Sequence, residues 1–114
     1  MNATAIVLGL AALGGATLAA IRLSGTPRPP TWMALGHGGI AATGLAMLIY
    51  SVATLTTPML VQVALAVLIL AALGGATLFL GFHIRELALP IPLVLVHGLM
   101  ALTGYGLLLA GMFG

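Results

Sequence analysis

AALGGATL, residues 11–18, returns without a single change at residues 71–78. The sixty-residue offset continues outside these copies: it takes His37 to His97, Gly38 to Gly98, Ala41 to Ala101, Thr43 to Thr103 and Gly44 to Gly104, with no gap. An offset of that length spans two helices with their connections, so the duplicated unit is a helical hairpin and the chain divides into repeats 1–57 and 61–114. Each copy holds an even number of helices, so the copies run in the same direction, unlike the inverted repeats of many transporters.

Composition fixes the surroundings. A chain of 114 residues that is 62% hydrophobic and 4% charged cannot present a polar surface to water, and its solvent is the lipid bilayer. There is no lysine and no aspartate; the charged side chains are Arg22, Arg28, Arg85 and Glu86, too few to form a nucleic-acid surface. The absence of cysteine excludes disulfides, thiolate metal sites, iron–sulfur clusters and covalent haem attachment. Three histidines remain for metal chemistry.

A membrane helix needs about 20 apolar residues, and the chain supplies four such runs, near residues 4–22, 31–52, 59–82 and 91–112. The breaks RLSGTPRPPT, SVATLTTPML and HIRELALPIP each contain proline, which stops or starts helices. Short connections force antiparallel neighbours, giving an all-α, up-down-up-down bundle of four transmembrane helices with no room for a soluble domain. The first run lacks a basic leader and a cleavage site, and reads as a retained helix. All three arginines fall in the first and third connections, so the positive-inside rule puts those loops in the cytoplasm and both termini outside, with the bacterial inner membrane as the expected location.

The matched histidines carry the functional reading. In a square bundle, the second and fourth helices stand at opposite corners. With neighbouring axes about 8–10 Å apart, the diagonal is a span that two imidazoles and one metal can bridge. His37, Ala41 and Gly44 share one face of the second helix, and His97, Ala101 and Gly104 repeat that stripe on the fourth, predicting a narrow cleft beneath each imidazole. Counting from the arginine loops, Gly14 and Gly15 lie level with His37, and Gly74 and Gly75 with His97. The expected result is a ring of four glycines around two histidines, with room for a haem b ligated by His37 and His97 and its propionates turned toward Arg22, Arg28 or Arg85. An ionisable residue inside a membrane span is a functional hypothesis by default, whereas paired glycines alone more often mean close helix packing. A neutral histidine donating to a neighbouring backbone carbonyl is the bland alternative.

His83 aligns with Leu23 and so has no counterpart in the first repeat. Its first reading is an interfacial, snorkelling side chain; the second is a bond to a haem propionate or a quinone headgroup; the third is a ligand pair with His97. The methionines read as core filler or lipid-facing groups, with a His and Met axial pair as the alternative, and Trp32 as an interface anchor.

An apolar four-helix bundle with His37 and His97 facing across its core resembles the membrane b-type cytochromes, among them the cytochrome b561-like proteins and the haem-bearing anchor subunits of quinone-linked dehydrogenases. Those families often carry two histidine pairs; one pair matches here. The resemblance implies one low-spin haem near the cytoplasmic side, relaying electrons between a partner, such as another membrane subunit, and a quinone or a second protein. Three other readings stand beside it: an antenna or accessory subunit with one bacteriochlorophyll per histidine on the lipid side, a transporter, and a cofactor-free structural subunit of a larger membrane complex. A transporter lacks an intramembrane carboxylate here, and no nucleophile–base pair supports catalysis by the chain itself.

Overall fold

The computed structural model describes residues 1–114. Its helices are α1 (Asn2–Leu23), α2 (Thr31–Thr54), α3 (Met59–Leu78), continued by a π-helical turn (Phe79–His83), and α4 (Ile91–Phe113). All four are long and apolar enough to cross a membrane. The chain is an all-α four-helix membrane bundle, 43 Å long and about half as wide. α1 packs on α2 and α4, and α3 on the same two, so α2 faces α4 across the diagonal.

Proline starts three of the helices. Pro30, Pro58 and Pro90 stand at the N-caps of α2, α3 and α4 with extended ψ, and their carbonyls accept the first amide hydrogen bonds, from Ala34, Gln62 and Val94. Proline fits there because its carbonyl is needed and its missing N–H is not. At the far end of α1, Gly25 takes a φ of 113° and the Thr26 N–H bonds the Ile21 carbonyl, closing the helix with a left-handed cap.

The second repeat closes one residue later. Glu86 holds the left-handed position (φ 58°), and the Leu87 N–H bonds the Phe82 carbonyl. The caps are thus offset by sixty-one residues rather than sixty. The extra residue is absorbed in the π-turn, where the Ile84 N–H reaches back five residues to Phe79. A residue inserted in this way rotates everything beyond it by about a quarter turn. Leu23, the sequence counterpart of His83, is half exposed, whereas His83 is 3% exposed. Counted from the caps, His83 stands where Arg22 stands in the first repeat.

The two inward side chains brace the opposite repeat. Arg22 Nε donates to the Leu89 carbonyl at 2.8 Å, and His83 Nε2 pairs with the Thr31 hydroxyl at 3.0 Å. His83 also stacks on Phe79, and Arg28 Nη1 donates to the His83 carbonyl at 3.4 Å. The expectation of a snorkelling His83 is corrected: the π-turn carries it inside. Nor does it pair with His97.

The apolar core lies toward the opposite end. Leu8 and Leu68, and Leu48 and Leu108, are buried in symmetric pairs with Val61 and Ala64. Outward-facing surface is apolar, as lipid requires, and Trp32 and Tyr50 are exposed on α2 about 27 Å apart by helical rise, close to the thickness of a hydrocarbon core.

Candidate functional site

His37 and His97 face each other across the α2–α4 diagonal. Their ring centroids are 6.3 Å apart and the ring planes meet at 80°. Each Nδ1 contacts a carbonyl of the preceding helix in its own hairpin, Ala11 at 2.8 Å for His37 and Ala71 at 2.7 Å for His97. A carbonyl can only accept, so Nδ1 carries the proton in both rings, and the neutral imidazole keeps its lone pair on Nε2. Neither Nε2 has a hydrogen-bond partner in the protein. A backbone carbonyl that fixes the tautomer and leaves the other nitrogen free is the usual support of a metal-ligating histidine.

The spacing matches one shared metal. With about 2.0 Å for each metal–nitrogen bond and about 1.2 Å from each nitrogen to its ring centre, a shared metal would span imidazole centroids up to about 6.4 Å apart. The observed 6.3 Å lies within that span, so His37 and His97 are the residues that would hold a shared metal. No third histidine, cysteine or carboxylate joins them, so a metal of higher coordination number would need equatorial ligands of its own, as a macrocycle provides.

The glycines have a more local task than sequence implied. A Cβ on Gly15 would stand 2.9 Å from His37 Cε1, and one on Gly75 the same distance from His97 Cε1. Gly14 and Gly74 are 3.7–3.8 Å from the same imidazoles by that measure. Gly14, Gly15, Gly74 and Gly75 thus form two notches, each receiving the imidazole of the adjoining helix, instead of a ring around the edge of a macrocycle. The expected level placement of glycines and histidines is present, and the contact is with the ligand.

The cleft expected beneath each imidazole is filled. Leu8 seats on Gly44, where a Cβ would lie 2.7 Å from its side chain, and Leu68 seats on Gly104 at 2.8 Å. Ala41 and Ala101 lie half-buried between these contacts and the histidines. The small residues therefore let α1 approach α2, and α3 approach α4, closely enough for the Nδ1 bonds to form. Of the arginines, Arg22 commits one nitrogen to the Leu89 carbonyl in the loop and Arg28 one to the His83 carbonyl at the end of the π-turn, and Arg85 is exposed.

One inter-repeat contact lies outside the sequence reading. Tyr105 donates its hydroxyl to the Ala5 carbonyl at 2.8 Å, over Gly9, where a Cβ would meet the phenol oxygen at 2.7 Å. The corresponding residues of the other repeat, Leu45, Leu65 and Ile69, carry no such group. The mismatch at these three positions was the available clue. Comparison with known families, characterised proteins and solved structures finds no match to this chain.

Proposed function

We propose that this protein holds one b-type haem through Nε2 of His37 and His97 and serves as an electron carrier or electron-transfer subunit in a membrane. The observation that carries the reading is the facing imidazole pair, 6.3 Å between centroids with both Nδ1 groups tied to carbonyls. When bound, the haem supplies one-electron chemistry. The chain's own contribution is to fix two neutral ligands in an apolar bundle and to set three arginines at the end nearer the pair, where they favour carboxylates. Redox partners, quinone among them, belong to the same proposal, as do the cytoplasmic placement of the arginine loops and a bacterial inner membrane.

Both rings point into the bundle, which argues against one bacteriochlorophyll per histidine on the lipid side. A cofactor-free packing role is the second reading, favoured by one observation: the imidazole in its glycine notch, bonded to a carbonyl, is a complete helix–helix contact without a metal. The test is a dithionite-reduced spectrum of protein expressed with ample haem. Sharp low-spin α and β bands at one haem per chain, lost in both H37A and H97A and kept in H83A, support haem ligation. Protein that stays colourless supports the packing role, and far-red pigment lost by half in each single variant supports the antenna role.

A further inference from the structure

At the end away from the arginines, a cleft of about 410 Å³ opens between α1 and α2 toward the lipid, lined by residues that include Thr4, Met47, Tyr50 and Ser51. Ligand sites commonly occupy about 300–1,000 Å³ with a few placed polar groups on apolar walls. Three hydroxyls line this one. Thr4 is only 3% exposed and Ser51 7%, while Tyr50 stands at the mouth, 70% exposed. Ser51 donates to the Met47 carbonyl at 3.1 Å. The hydroxyls of Thr4 and Tyr50 make no hydrogen bond within the protein, and the Thr4 oxygen reaches the opening instead of being sealed from it.

The duplication provides an internal control. At the same positions of the second repeat, Thr4, Tyr50 and Ser51 become Ala64, Ala110 and Gly111. There the helices close: Ala64 and Val61 are fully buried, and a Cβ on Gly111 would stand 2.8 Å from the Val61 side chain. All three hydroxyls belong to one copy only. Close helix packing does not require the Thr4 hydroxyl, since the other copy packs tightly without one.

We propose that this cleft binds a lipid-soluble molecule through carbonyl acceptors, of quinone or acyl-ester chemistry. The hydroxyls can donate, and the α-amino group of Met1, which also lines the cleft, is a further donor, so the complementary group is an acceptor such as a carbonyl oxygen. The lateral opening admits it from the bilayer. Binding here is independent of the haem reading: Tyr50 lies thirteen residues beyond His37 on α2, about 20 Å by helical rise, and no electron transfer between the two sites is implied.

The test uses the full chain in nanodiscs of defined ether-linked phosphatidylcholine, which lacks ester carbonyls, with a photoreactive short-chain quinone and, separately, a photoreactive diacylglycerol. Saturable labelling of segments 1–4 and 46–51 is expected for at least one probe. T4V and Y50F should each weaken it about five-fold, the effect of one neutral hydrogen bond. T4V is nearly isosteric and Tyr50 is exposed, so circular dichroism should show both variants folded. If T4V nevertheless fails to fold, Y50F alone decides. Competition by unlabelled quinone or by diacylglycerol identifies the source of the carbonyl. Labelling that does not saturate, that falls equally on segment 106–111 of the second repeat, or that Y50F leaves unchanged overturns the proposal.

Discussion

Adjacent glycines in the repeated segment should respond oppositely to the same substitution. In Gly75→Ala the new Cβ lies 2.9 Å from His97 Cε1 and 3.4 Å from Nε2. The imidazole cannot swing aside freely, because its Nδ1–H is bonded to the Ala71 carbonyl at 2.7 Å. Moving the ring weakens a hydrogen bond worth about 0.5–1.5 kcal/mol, and not moving it incurs overpacking of about 1–3 kcal/mol. Against this stands a helix-propensity gain of about 0.8–1.0 kcal/mol for alanine over glycine. Overpacking less the propensity gain leaves a net loss of up to about 2 kcal/mol. In Gly74→Ala the nearest imidazole atom is 3.7 Å away, an ordinary contact, so the propensity gain survives and the variant should be neutral or stabilised by up to about 1 kcal/mol. Gly15 and Gly14 should reproduce the pattern against His37, at 2.9 and 3.8 Å. Reversible unfolding in mixed micelles, read by circular dichroism, measures all four variants. Equal effects within each pair, or stabilisation by Gly75→Ala, would refute the seating of the imidazole on the second glycine of each notch.

Other substitutions test the remaining features. Glu86→Gly should stabilise the chain by about 1 kcal/mol, because glycine takes the left-handed cap without the penalty an L side chain meets there; a loss in the same unfolding assay would contradict the cap. Thr57→Val removes a buried hydroxyl with no hydrogen-bond partner and should raise stability by about 1 kcal/mol, whereas a comparable loss would reveal a partner. Tyr105→Phe should cost about 0.5–1.5 kcal/mol by freeing the Ala5 carbonyl, and no change would mean that the α1–α4 contact rests on shape alone. If haem binds between rings that keep their near-perpendicular planes, its ferric electron paramagnetic resonance should show a single large-g feature; a rhombic spectrum would require the rings to turn parallel.

Much of the architecture was legible because membrane helices obey simple constraints. Apolar length gave four helices, and Pro30, Pro58 and Pro90 gave three starts that agree with the structure. The repeat placed His37 and His97 at one depth, and the bundle brings them face to face. Less legible was how small residues are used. A glycine in a membrane helix admits whatever is opposite, and sequence does not say whether that is an imidazole, a leucine or a cofactor. The structure puts imidazoles on Gly15 and Gly75 and leucines on Gly44 and Gly104.

His83 marks the boundary most sharply. An ungapped sixty-residue alignment pairs it with Leu23 and sends it to the surface. The π-turn adds one residue to the helix end, and the connection to α4 takes one away, so the sequence register hides both changes. Length, polarity and periodicity determined by themselves that this chain is a duplicated hairpin in lipid with two histidines at matched depth. Tertiary structure decided which nitrogen of each histidine is tied down, what each glycine receives, and that His83 braces the opposite repeat from within. Depth and class follow from solvation and helical rise, which each residue carries in its own sequence position; hydrogen-bond pairing and notch occupancy depend on helix rotation and approach, which only the packed bundle sets.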